Sequence, residues 1–137
     1  MKVKKVNRYY CDYCAKSRGT KHSMEVHEKH CTMNPDRRCR MCGGNNVSKL
    51  LSLMPDPNSF YVQDIDFEVM QIRCQTDTQA GLQKVLEATD NCPACTLAVL
   101  RQSGTRFWVE WNYEKACKEW WDTVNDAEQR RSYLSLP

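Results

Sequence analysis

The chain has 137 residues, with 20 Lys/Arg against 17 Asp/Glu and nine cysteines. That length holds one ordinary domain, or a small module ahead of a domain of about 100 residues. No run approaches 18 apolar residues, which excludes a membrane-spanning helix from the expectations. The basic start Met1-Lys2-Val3-Lys4-Lys5 has no apolar stretch behind it, so no secretory signal is expected and the compartment expected is intracellular, cytoplasmic. In a reducing compartment, C-x2-C pairs signal metal or redox chemistry more than disulfides, and nine is an odd number to pair. Residues 1–49 carry 12 Lys/Arg and 4 Asp/Glu, a balance of +8; residues 50–137 carry 8 and 13, a balance of −5.

Residues 1–10 form a short basic lead ending in Tyr9-Tyr10. Residues 20–31 read as a polar helix with Met24, His27 and Cys31 recurring at three- and four-residue steps. Asn34-Pro35 ends it. Arg37 to Gly44 is a cysteine turn whose glycines can take positive φ. Val47 to Met54 is partly apolar and of open type, and Pro55 to Ser59 is a loop.

Phe60 to Cys74 reads as strand. Ile65, Phe67 and Val69 alternate with Asp66 and Glu68, and the phase slips one residue to Met70, Ile72 and Cys74, as a bulge or two strands would give. Residues 77–89 form a helix with Leu82, Val85, Leu86 and Thr89 on one face and Thr76 or Asp77 as N-cap. Leu97 to Leu100 is a short buried helix, and Phe107 to Trp111 a second strand. Asn112 caps a last helix with Tyr113, Ala116, Cys117, Trp120, Trp121 and Val124 facing the core. Cys74, Cys117 and the four tryptophans are expected mostly in the core.

Six cysteines fall in three C-x2-C pairs: Cys11/Cys14, Cys39/Cys42 and Cys92/Cys95. Cys11-x2-Cys14-x12-His27-x3-Cys31 has the spacing of a ββα zinc site. A tight turn presents two thiolates, and an i, i+4 pair on the next helix presents two more ligands. His30 is an alternative to Cys31 as fourth ligand. Cys31 is favoured, since a spare cysteine beside zinc is rarer than a spare histidine. Over residues 9–31 this segment resembles the C2H2 zinc-finger family, in a variant whose last ligand is cysteine. Tyr9 stands at the family's aromatic position and Met24 at its leucine. The family's core phenylalanine falls at Arg18, which implies a thinner finger core. The base-reading positions implied by the resemblance are Thr20, Ser23 and Val26. None offers a bidentate fork to a base edge, so sequence-specific reading is not expected.

Cys39/Cys42 and Cys92/Cys95 are expected to close a four-cysteine zinc site across the chain, with Cys42-Gly43 resembling a zinc knuckle. A redox rival exists, because Cys92-Pro93-Ala94-Cys95 opens a helix whose N-terminus lowers a thiol's pKa. A helix precedes it rather than the strand of a βαβ unit, and the other pair would then lack a role. Two zinc sites with three and four thiolates carry about −1 and −2, so the N-terminal end stays basic when metallated.

No catalytic pattern is complete. A base deaminase needs H-x-E, whereas Glu28 follows His27 directly, and the proline lies inside the C-x2-C pair. Four-ligand zinc sites leave no open position for hydrolysis. Asp64, Asp66 and Glu68 read as a solvated strand face.

The expectation is an α+β protein with a finger module at 1–36, then an α+β domain at 37–137 carrying a few-stranded antiparallel sheet and closed by the second zinc. Its expected role is non-catalytic contact with nucleic acid, or with a nucleic-acid-associated protein. Lys16, Arg18, Lys21, Lys29, Arg37, Arg38 and Arg40 would meet phosphates. Alternatives are a protein-binding adaptor or inhibitor of the small double-zinc kind that resembles phage or mobile-element products, and a thiol redox protein using Cys92 and Cys95.

Overall fold

The computed structural model describes residues 1–56 and 67–134, with side chains described for 1–56 and 76–128. It is a small α+β protein. β1 (Tyr9–Tyr10) and β2 (Ser17–Arg18) pair antiparallel, Tyr9 opposite Arg18. α1 (Lys21–His30) follows. α2 (Val47–Leu50) runs into a 3-10 turn at Leu51–Leu53. The long α3 (Phe67–Ala88), the central α4 (Pro93–Ser103), a 3-10 turn at Arg106–Trp108 and the long α5 (Tyr113–Leu134) complete the chain.

Local chemistry sets the ends of α1. The Thr20 side chain accepts from Ser23 N–H at 3.2 Å, the N-cap bond that satisfies an orphan donor. His27, Lys29 and His30 place basic groups at the negative end of the helix dipole. Buried Asn34 then donates Nδ2–H to the Glu28 carbonyl at 2.8 Å and accepts from Asp36 N–H at 2.9 Å, turning the chain back.

The main core centres on α4. Ala98, Val99 and Leu100 pack with Val47, Met54, Leu82, Val85 and Val109. Pro93 opens α4 at the position where its missing N–H costs nothing, and Gly104 ends it at φ 76°. Asp90 and Asn91 both take positive φ, a tight corner that delivers Cys92 to the start of α4. The N-terminal segment has its own small core of Cys11, Met24 and Cys31, with Tyr9, Cys14 and Met33 against it. Met33 supplies apolar contact that the exposed Arg18 does not.

Two strand expectations are corrected. Residues 67–74 belong to α3, so the helix begins well before the expected cap at Thr76 or Asp77. The one-residue phase slip is what a 3.6-residue period leaves in an alternating pattern: Phe67, Met70 and Cys74 lie at helical steps. Phe60, Ile65, Asp64 and Asp66 lie outside the described residues, as does the side chain of Glu68.

Phe107 to Trp111 is not a strand either. Phe107 is 98 % exposed within a 3-10 turn, and Val109 alone of this segment is buried. The segment is fixed by Thr78 Oγ1–H donating to the Trp108 carbonyl at 2.9 Å, not by a partner strand. Among the described residues the sheet is the β1–β2 pair alone.

α5 starts as expected: the Asn112 side chain accepts from Lys115 N–H at 3.1 Å. Its apolar face is only half covered. Trp121 is 50 % exposed, while Ala116, Cys117, Trp120 and Val124 are half-buried. Among the described residues no helix is long and apolar enough to cross a membrane.

Candidate metal centres

Two groups of four ligand atoms converge. In each of Cys11/Cys14/His27/Cys31 and Cys39/Cys42/Cys92/Cys95, all ligand atoms lie within 4.8 Å of one another. Cys14 Sγ is 3.2 Å from His27 Nε2. Cys39 Sγ is 3.6 Å from Cys92 Sγ, and Cys42 Sγ is 3.3 Å from Cys95 Sγ. A tetrahedron with 2.3 Å metal–sulfur bonds has S···S edges of about 3.8 Å. The spacing fits one small cation at each centre, and none of these cysteines is in a disulfide. His30 stands outside the first group. Its Nδ1 bonds to the Arg38 carbonyl at 2.7 Å, so Cys31 is the fourth member.

The two N-terminal pairs share one backbone design. Cys11 N–H donates to the Lys16 carbonyl at 2.8 Å, and Cys39 N–H to the Gly44 carbonyl at 2.9 Å. Ala15 N–H donates to the Cys11 carbonyl at 3.0 Å, and Gly43 N–H to the Cys39 carbonyl at 3.1 Å. Tyr13 N–H reaches Cys11 Sγ at 3.4 Å, and Met41 N–H reaches Cys39 Sγ at 3.3 Å. Gly44 N–H also points to Cys42 Sγ at 3.4 Å. Such N–H···S bonds favour the thiolate a metal needs. The residue after the second cysteine is left-handed in both turns: Gly43 at φ 74° and Ala15 at φ 62°. Alanine there carries a strain of about 1 kcal/mol that glycine avoids.

The remaining ligands come from helices. α1 carries His27 one turn before Cys31, which sits at its C-cap. The start of α4 carries Cys92 and Cys95, with Cys92 completely buried. Trp120 of α5 packs against Cys39, Cys92 and Cys95, its indole N–H buried without a hydrogen-bond partner.

The thiols of each donor set act strongly on one another. Burial opposes ionisation of Cys14, but the Lys16 backbone and the side chains of His27, Cys31 and Cys11 outweigh it and bring the thiol down to about 6. Burial, helped by Cys14 and Cys11, pushes Cys31 up to about 11. In the second group, hydrogen bonds from Cys92 and Cys95 hold Cys39 far below the usual thiol range. Sharing its proton with Cys39 pushes Cys92 up to about 12, and Cys95 is raised for the same reason by Cys39 and Cys92. Cys14 and Cys39 therefore ionise readily, while Cys31, Cys92 and Cys95 resist it. A central divalent cation removes that resistance, so both donor sets fit one.

Of the basic residues expected to meet phosphates, Lys16, Arg18, Lys21, Lys29, Arg38 and Arg40 are exposed. Arg37 is not: it is 3 % exposed, and its guanidinium donates to the carbonyls of His30 and Ala94. It leaves the phosphate set because its donors are used inside the protein. Nothing local in Asp36-Arg37-Arg38 marks this, since both arginines look alike until the chain folds back on α1. Cys117 is half-buried rather than core, beside Tyr113, whose hydroxyl is pushed up to about 12 by burial and then by Cys117. The side chain of Cys74 lies outside the described residues.

A groove of about 590 Å³ runs along the exposed face of α1, lined by Arg18, His22, Ser23, Val26, His27, His30 and Arg40. A larger one, about 1000 Å³, lies beside α5, with Leu86, Trp111, Trp120 and Val124 among its walls. Comparisons with protein-family models, with curated proteins and with solved structures each yield no match for this chain.

Proposed function

We propose that the protein is a non-catalytic, two-zinc nucleic-acid-associated factor that grips phosphates with its basic N-terminal end. Zinc is the metal that suits two tetrahedra at these spacings, one of three thiolates and an imidazole, the other of four thiolates. Four protein ligands close each site, which is the form of structural zinc. The observation that carries the nucleic-acid reading is the placement of charge. Lys16, Arg18, Lys21, Lys29, Arg38 and Arg40 are all exposed and lie within residues 1–49, which are net basic by eight, while residues 50–137 are net acidic by five. Titration of labelled DNA and RNA, single-stranded and duplex, across a salt series tests it. Binding that weakens steeply with salt supports phosphate contact, and no binding at about 50 mM salt removes the reading.

A protein-docking role is the second reading, favoured by the apolar groove beside α5 and the exposed Trp121. A stoichiometric partner from nuclease-treated lysate, lost with Val124→Glu, supports it. The redox reading needs Cys92 and Cys95 free of metal, whereas their sulfurs converge with those of Cys39 and Cys42. Native zinc at that group would end it.

A further inference from the structure

We infer that the groove along α1 is a binding site for single-stranded nucleic acid, about two nucleotides long, shared by the two zinc modules. The inference rests on the nucleic-acid reading above and names the substrate form. Arg18, from β2, and Arg40 line the groove together with His22 of the first turn of α1 and His30 of its last. Ser23 and Val26 line it in between along α1. From His22 to His30 α1 rises about 12 Å, which is two phosphate steps of a stacked or extended strand.

Arg40 belongs to the second cysteine turn, not to the finger. It is brought here because residues 37–38 are strapped to the end of α1. Arg38 N–H donates to the Lys29 carbonyl at 3.0 Å, His30 Nδ1 bonds to the Arg38 carbonyl, and Arg37 holds the His30 carbonyl.

That arrangement disfavours a duplex. The face of α1 bearing Thr20, Ser23 and Val26 is the one a finger would lay in a major groove, and here it shares its groove with Arg40 of the other module. A concavity of about 590 Å³ is of the size that takes small ligands, such as one or two splayed-out nucleotides. A flexible strand can place phosphates on Arg18 and Arg40 and lay a base over Val26 between two imidazole rings. Such binding is tolerant of sequence, because every base has a π-face. It matches the lack of base-reading forks on α1.

The test uses fluorescence anisotropy with zinc-loaded full chain, oligo-dT and oligo-U of about 12 nucleotides, and a hairpin duplex of equal charge, at about 50 mM salt. The expected result is single strands bound at least about tenfold tighter than the hairpin. Arg18→Ser and Arg40→Ser should each weaken single-strand binding about five- to tenfold. Each should also lower the salt slope by about 0.7, the loss of one phosphate contact. Both residues are exposed, and zinc content and helicity of the variants check that they fold. Equal or tighter binding of the hairpin overturns the inference. So does unchanged affinity in both variants when Lys16→Ser or Lys21→Ser weakens binding, although nucleic-acid contact then stands. No binding of any probe removes both.

Discussion

The guanidinium of Arg37 donates twice to the carbonyl oxygen of His30, through Nε and Nη2, each at 3.3 Å. His30 is the last residue of α1, so the cation sits at the negative end of the helix dipole. Nη1 reaches the Ala94 carbonyl at 3.5 Å, between Cys92 and Cys95. One buried side chain therefore ties the finger helix to the second cysteine group. It also brings a positive charge toward a site that carries about −2 when it holds zinc. Arg101 and Gln102 of α4 reinforce the junction by donating to Thr32 Oγ1 at 2.7 Å and to the Thr32 and Asn34 carbonyls at 2.8 and 3.0 Å.

Removing this cation should be costly. Arg37→Leu leaves the His30 carbonyl buried without its donors and is expected to lose about 2–4 kcal/mol of stability. Arg37→Lys, which keeps charge but not the planar fork, should lose about half of that. Urea denaturation at saturating zinc measures both. A Leu variant within about 0.5 kcal/mol of the parent would show that the junction adds nothing.

His30 and Cys31 should separate cleanly. His30→Ala is expected to keep two zinc ions per chain and to lose about 1 kcal/mol, the worth of its bond to the Arg38 carbonyl. Cys31→Ala is expected to retain one zinc ion and to unfold the finger locally. Elemental analysis of the purified variants reads the stoichiometry. Loss of zinc from the His30 variant would reverse the ligand assignment.

Zinc binding should release protons and weaken in acid. Without metal, Cys31 and Cys92 hold their protons up to about 11 and 12, yet both must be thiolates to bind zinc. The metal-bound state therefore carries fewer protons than the metal-free state, and lowering the pH favours the latter. Affinity should fall about tenfold per pH unit for each proton displaced. Zinc titration calorimetry in buffers of different ionisation enthalpy counts those protons; a pH-independent affinity between pH 6 and 8 would contradict it.

Gly81 of α3 should not accept a methyl group. A Cβ there would lie 2.9 Å from the Leu53 carbonyl oxygen and 3.0 Å from Met54 Sδ. Alanine gains up to about 1 kcal/mol in helix propensity, but overpacking against backbone costs about 1–3 kcal/mol. Gly81→Ala is thus expected to destabilise by about 1–2 kcal/mol in denaturant titration. A stabilised variant would show that the 3-10 turn at Leu51–Leu53 yields easily.

What the sequence determined by itself is the pair of converging Cys/His groups. Cys11, Cys14, His27 and Cys31 are bound by local spacing: a tight turn, twelve residues and one helical step leave little freedom. The long-range set was legible because two further C-x2-C pairs had no local partners, although 49 residues separate Cys42 from Cys92. The helix of α5 after Asn112 was also legible from its period, but not how much of its apolar face stays open.

The tertiary structure alone decided the rest. Phe67 to Cys74 alternates like a strand yet lies in α3, because a short slipping pattern fits both periods. Arg37 and Arg38 are adjacent and chemically identical. One is buried as a helix cap and the other exposed, because the chain turns at Asn34 and presses a single side chain into the junction. Arg40 reaches the groove of α1 by the same turn. Cysteine and histidine spacing marks which groups can form a ligand set, whereas which cations meet solvent depends on contacts between distant segments that no local pattern encodes.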